Sequence, residues 1–274
     1  MPTDRNLTTG TAWARTWVVI TAMAIGGYSP PESCAAEPPA AELLAAEPPA
    51  AAVSMTATGS SGRDRFAVQT TVRSGDRVIA THRTAFRDGV AVQWKGDGSE
   101  FLTIFDDDSV VLLDRSMGVQ GEISHRQLVD LTMRAAAVIR DSPEHQKLGV
   151  DIAPQRQNDL YLASFGPFNY RLQTIAPEHP QRSVDFAAMA DASLRLNLIR
   201  GGTIPPFARL AISREMVRDG RVPIRTTLSI DPDRTLVSVN QWSDWTERDT
   251  ERYDAAMSMR RLYQTVAIDQ ISSF

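Results

Sequence analysis

Between residues 65 and 124 apolar and polar positions alternate with a period of two, the pattern of half-buried strands. Residues 65–73 set Phe66, Val68, Thr70 and Val72 on one face. After the turn Ser74-Gly75-Asp76, residues 77–86 set Val78, Ala80, Thr84 and Phe86 on one side. Asp88-Gly89 tolerates positive φ and predicts a tight hairpin. Residues 90–95, 101–105 and 110–114, with a short strand near 119–123, complete an antiparallel meander of about six strands.

The period then lengthens. Ser124 and Gln127 form an S-x-x-Q capping box, and Leu128, Leu131, Ala135, Val138 and Ile139 make one helical stripe that Asp141-Ser142-Pro143 ends. Residues 144–158 are polar and predict an irregular surface excursion. A second hairpin follows, 159–165 and 168–175 around Gly166-Pro167. Ser183 predicts the cap of a helix running to about Arg200. Pro205-Pro206 open a shorter helix over 207–219, closed by Gly220. A third hairpin, 226–230 and 235–242, turns at Asp231-Pro232-Asp233. Thr246 and Asp249 cap a long final helix with Tyr253, Ala256, Met259, Tyr263 and Val266 along one face. Hairpins in place of β-α-β crossovers predict an α+β fold: a curved, open-barrel-like antiparallel meander with helices packed on one side.

The first residues have a different character. The apolar run Trp17–Tyr28 follows Arg5 and Arg15, and the small residues Cys34-Ala35-Ala36 suit cleavage before Glu37. The run is shorter than the ~20 residues of a spanning helix. A signal peptide over 1–36 is therefore expected, with no stable transmembrane segment after cleavage. A lipidated Cys34 and an uncleaved anchor are the alternatives, and Pro31-Glu32-Ser33 is a poor lead-in for lipidation. AAEPPA occurs at 35–40 and again at 45–50, so 37–62 reads as an Ala/Pro/Glu-rich disordered spacer. The remainder, 63–274, reads as one domain of a periplasmic or extracellular protein.

Composition narrows the function classes. The net charge of −4 argues against a nucleic-acid partner, which calls for a basic face. Cys34 is the only cysteine, so its removal with the leader would exclude disulfides, Cys-ligated zinc and a thiol nucleophile. His82, His125, His145 and His179 lack the spacing of a helical zinc pair, and no G-x-S-x-G, S-x-x-K or phosphate-loop motif occurs. Asp106-Asp107-Asp108 lacks the alternating ligands of a calcium loop and reads as a solvated turn. Trp242 and Trp245 read first as packing residues at the start of the last helix, and otherwise as a grip for a sugar or partner. No catalytic residue, metal ligand or cofactor is assigned.

Several meander strands carry apolar residues on both faces: Leu102 and Ile104 oppose Phe101 and Phe105. Such strands call either for cover on both faces or for an apolar cavity on one. Phe86, Trp94, Phe101 and Phe105 are the candidate lining of such a cavity.

Two blocks carry a resemblance. Residues 101–124 (FLTIFDDDSVVLLDRSMGVQGEIS) and 192–213 (ASLRLNLIRGGTIPPFARLAIS) resemble a group of exported planctomycete-type bacterial proteins of unknown function. The matching positions in the second block are Leu196-Asn197, Pro205-Pro206-Phe207 and Arg209-Leu210. In architecture alone the chain is similar to LolA/LolB-type open barrels, which implies a lipid or lipidated protein as partner. The expectation is thus an exported, non-catalytic protein that binds an apolar ligand or lipidated partner. An envelope structural or protein-interaction module, and a hydrolase with a dispersed site, are the other two readings.

Overall fold

In the first half, strands form where the alternation is strict. β1 (Arg65–Ser74), β2 (Arg77–Arg87), β3 (Val90–Lys95), β4 (Phe101–Phe105), β5 (Ser109–Asp114) and β6 (Val119–Ser124) pair in sequence, each antiparallel to the next. The turn between β2 and β3 holds Asp88 at φ 57° and Gly89 at φ 83°, the left-handed pair that a two-residue hairpin requires. The computed structural model describes residues 65–96, 100–200, 204–231 and 234–271. The leader expected at 1–36 and the spacer at 37–62 lie outside the described residues.

α1 (His125–Arg140) starts at the Ser124–Gln127 capping box, and a short 3-10 turn, His145–Leu148, follows it. β7 (Gln155–Gln157), β8 (Leu160–Phe165) and β9 (Phe168–Ile175) lead into α2 (Gln181–Arg200) and α3 (Phe207–Arg218). β10 (Val222–Asp231) and β11 (Arg234–Asp244) then return the chain to the meander, where β11 pairs antiparallel with β1. α4 (Glu247–Leu262) begins at the Thr246–Asp249 capping box and ends in β12 (Gln264–Val266). The twelve strands among the described residues belong to one open sheet with β12 at one edge and β7 at the other. The class is α+β with a mostly antiparallel sheet.

Four local expectations change. β7 occupies part of the stretch expected to be irregular, and Arg156 within it is tied to Asp219 at 2.8 Å. Ser183 lies inside the first turn of α2, where its hydroxyl donates to the Pro180 carbonyl at 2.8 Å. Val138 is 74% exposed, so α1 is held through Leu128 and Thr132. The last helix stops at Leu262 instead of carrying Tyr263 and Val266, because residues 264–266 pair parallel with β6. Gln120 Nε2 fixes that edge by donating to the Tyr263 carbonyl and the Thr265 hydroxyl. Gly121 admits the C-terminal segment: a Cβ there would lie 3.0 Å from Ile271 Cγ1 and 3.1 Å from Ile268 Cα.

Helices cover both faces of the meander, not one. On one face Phe66, Phe86, Phe105 and Leu112 pack with Leu128 of α1 and with Phe186, Met189 and Leu196 of α2. On the other, Val92, Trp94, Leu102, Ile104 and Leu113 pack with Tyr253 and Ala256 of α4. α3 buries Ala208, Ile212 and Met216 against Leu172, Leu228 and Leu236. Leu236, Ser238, Asn240 and Trp242 alternate along β11 and are all buried, so α2 and α3 share a face.

A buried polar row crosses that face. The Thr70 hydroxyl donates to Asn240 Oδ1 at 2.8 Å, and Asn240 Nδ2 donates to the Pro223 carbonyl at 3.0 Å. His82 stands opposite Thr70 in register, 2% exposed, with no hydrogen-bond partner for Nε2. Burial, and then the charge of Lys95, push its pKa down to about 4. A depressed histidine contributes fully above its unfolded value near 6.5. Its contribution is lost as pH falls from there toward 4, because the unfolded chain binds the proton first. Stability is expected to drop by roughly 2–3 kcal/mol between pH 7.5 and 4.5. Urea midpoints at the two pH values should show this loss, and His82→Leu should remove most of it. Equal losses in both proteins would mean that His82 is not buried neutral.

Candidate functional site

The sheet does not bring the four candidate lining residues to one face. Phe86 and Phe105 are buried on the α2 side. Phe86 stacks on Phe66 with centroids 4.3 Å apart and meets Phe186 of α2 at 6.3 Å. Alternation along β4 sets the half-buried Phe101 on the same face as Phe105. Trp94 is buried on the opposite face, in the cluster with Tyr253 and Ala256. Around these positions both faces are packed by the chain's own helices.

The other sequence candidates resolve into packing and turns. Trp242 is in the core, 5.5 Å from the Phe66 ring and 5.1 Å from the Phe186 ring. Trp245 donates to the Thr250 hydroxyl at 2.6 Å and leans on Tyr253, so it packs the start of α4 against the sheet. Asp106 accepts from the N–H groups of Asp108 and Ser109 at 2.9 and 2.6 Å, and pairs with Arg260. The acidic triplet is thus a turn, and among the described residues no group of three or more His, Cys, Asp or Glu gathers as metal ligands.

A recess does exist between α1 and α2, which pack on the same face of the sheet. It measures about 160 Å³ and is lined by His125, Leu128, Val129, Ala188, Asp191, Ala192 and Arg195. The capping box sets His125 as the first residue of α1, with Leu128 and Val129 on the turn that follows. Ala188, Ala192 and Arg195 recur at helical spacing on α2, so they share a face. Four of the seven lining residues are apolar, and His125, Asp191 and Arg195 are polar. His125 Nε2 and Asp191 Oδ1 are buried with no hydrogen-bond partner. Burial pushes the Asp191 carboxyl up, against the Ser213 hydroxyl and the charges of Arg195, Arg209 and Arg214. Burial pushes the Arg195 guanidinium down, and Asp191 opposes this.

This constellation lacks the chemistry of a serine triad. Ser213 is 1% exposed and its hydroxyl donates to Asp191, so it has neither a histidine base nor access to substrate. Asp191, Arg195 and Arg209 were not among the sequence candidates. The readable signal was charged residues inserted in otherwise apolar helical runs, AMADASLRL and PPFARLAIS. Among the described residues no helix is long and apolar enough to cross a membrane.

Fold and recess together define an α+β protein: an open, mostly antiparallel sheet whose helical cover contains an amphipathic groove. No protein-family profile matches the chain, and no curated protein sequence matches it.

Proposed function

We propose that the protein is an exported, non-catalytic binding protein that takes an apolar-bodied ligand between α1 and α2. The observation that carries this is the groove itself, which combines an apolar lining from Leu128, Val129, Ala188 and Ala192 with the polar residues His125, Asp191 and Arg195. Buried polar atoms are normally satisfied, and sites that bind small molecules combine apolar lining with a few such groups. At about 160 Å³ the groove is smaller than the roughly 300–1,000 Å³ of drug-sized pockets. It therefore suits one end of a ligand or a short chain. α1 buries only Leu128 and Thr132 completely, so opening the groove further sacrifices little packing. The leader-like start of the chain supports export. An open sheet roofed by helices, as in LolA-type proteins, supports a lipid or lipidated partner by analogy of architecture.

The uncharged dye prodan tests the reading. The folded full chain is expected to bind it saturably, one per protein, with a blue shift in emission. An absence of saturable binding would overturn the proposal. The interaction-module reading is favoured by exposed Met133 and Val138 on α1, 64% and 74% accessible. Prodan-free protein that instead captures a macromolecule through α1 would support it.

A further inference from the structure

α2 carries Asp191 and Arg195 one turn apart, beside Ala192, Leu194 and Leu196. Both charged residues line the α1–α2 groove. α3 brings a third charged group toward them. Arg209 is 2% exposed, and its Nε and Nη1 have no hydrogen-bond partner. The charges of Arg195, Arg209 and Arg214 all act on Asp191. Positive charge near Asp191 thus exceeds its single negative charge, and Arg195 is the guanidinium that lines the groove. Water screens Arg214, which is exposed, but not Arg209. Positive charge held away from water is costly, and an anion brought close to it relieves part of that cost. Guanidinium groups are also the side chains best shaped to take a carboxylate or phosphate in a bidentate manner.

We infer that the groove receives the anionic head of an amphiphile, a carboxylate or phosphate, on Arg195, while the apolar body lies against Leu128, Val129, Ala188 and Ala192. This rests on the binding reading of the groove given above. Asp191, one turn before Arg195 on α2, is close enough for its charge to act on that guanidinium. His125, the first residue of α1, adds a second polar group to the lining.

Competition against prodan on the folded full chain at pH 8 tests the inference, with decanoate, 1-decanol and inorganic phosphate as probes. Decanoate is expected to displace the dye at a concentration at least tenfold lower than 1-decanol. Arg195→Gln should reduce that preference, read as the ratio of the two displacements within the variant, to under threefold, and Arg195→Lys should retain most of it. Inorganic phosphate that weakens decanoate binding at millimolar concentration would support the same site with a free anion as its source. Equal displacement by decanoate and 1-decanol in the unaltered protein overturns the anionic head and leaves the apolar groove standing. A preference that survives Arg195→Gln overturns the assignment to Arg195. If neither amphiphile displaces the dye, the binding reading fails as well.

Discussion

Phe186→Ala is expected to lower the stability of the folded chain by about 3–5 kcal/mol, the cost of emptying a fully packed aromatic site. Phe186 is 2% exposed and joins α2 to the sheet through Phe86 at 6.3 Å and Trp242 at 5.1 Å. Phe66 completes the cluster, stacked on Phe86 and 5.5 Å from Trp242. The neighbours sit on strands locked by pairing on both sides, so they cannot collapse into the void. In a domain of this size the loss corresponds to a fall in Tm on the order of 10 °C. The result also separates two arrangements of the sheet face. If Phe86 and Phe105 lined an open ligand cavity, shortening Phe186 would cost less than about 1 kcal/mol, because no packed site would be emptied. Thermal and urea unfolding of the variant measure the difference.

Asp249→Ala carries the second large effect, about 3 kcal/mol. This carboxylate is 2% exposed and is shared by two tasks. It accepts from Arg83 Nε at 2.9 Å and Arg83 Nη2 at 2.7 Å, which ties α4 to β2. It also accepts from the Thr246 N–H and hydroxyl, both at 2.8 Å, which closes the α4 cap. Burial pushes its pKa up, but the hydrogen bonds from Arg83 and Thr246 outweigh burial and hold it below the ordinary carboxylate range. Its contribution is therefore present at neutral pH and lost as pH falls through the folded value. Removing the carboxylate leaves Arg83 without its main partner, and breaking a buried pair from one side costs about 3–5 kcal/mol. The Arg83 side chain is 20% exposed and keeps its bond to Ser243, so the lower end applies. Pairing Asp249→Ala with Arg83→Met should recover part of the loss, because no orphan charge remains. A loss under about 1 kcal/mol would show that the Arg83–Asp249 pair does not hold α4 to the sheet.

Much of this architecture was legible because its local signals are strong. Period-two alternation with Asp88-Gly89 between strands places β1 to β6, and two capping boxes place the starts of α1 and α4. The pairing of β11 with β1 was not legible, since strand partners distant in sequence leave no local mark. Nor was β12: Gln264–Val266 continues an apolar helical stripe, and tertiary pairing with β6 overrides it. Apolar residues on both faces of β4 left open either cover on both sides or a cavity on one; the structure covers both, with α1 and α2 on one face and α4 on the other. Among candidate site residues, large aromatics drew the sequence reading to the sheet, where the structure uses Phe86, Trp94 and Phe105 as packing. The groove is built mostly from small and charged side chains on two helices adjacent only after folding, and Ala188 and Ala192 are unremarkable in sequence.

Filling the groove from within tests the central claim most directly. Ala188 is exposed on the groove wall, so Ala188→Trp adds bulk there without displacing core. Prodan titration of this variant beside the unaltered protein is expected to show at least a tenfold weaker affinity at an unchanged Tm. An affinity equal to that of the unaltered protein would contradict binding between α1 and α2.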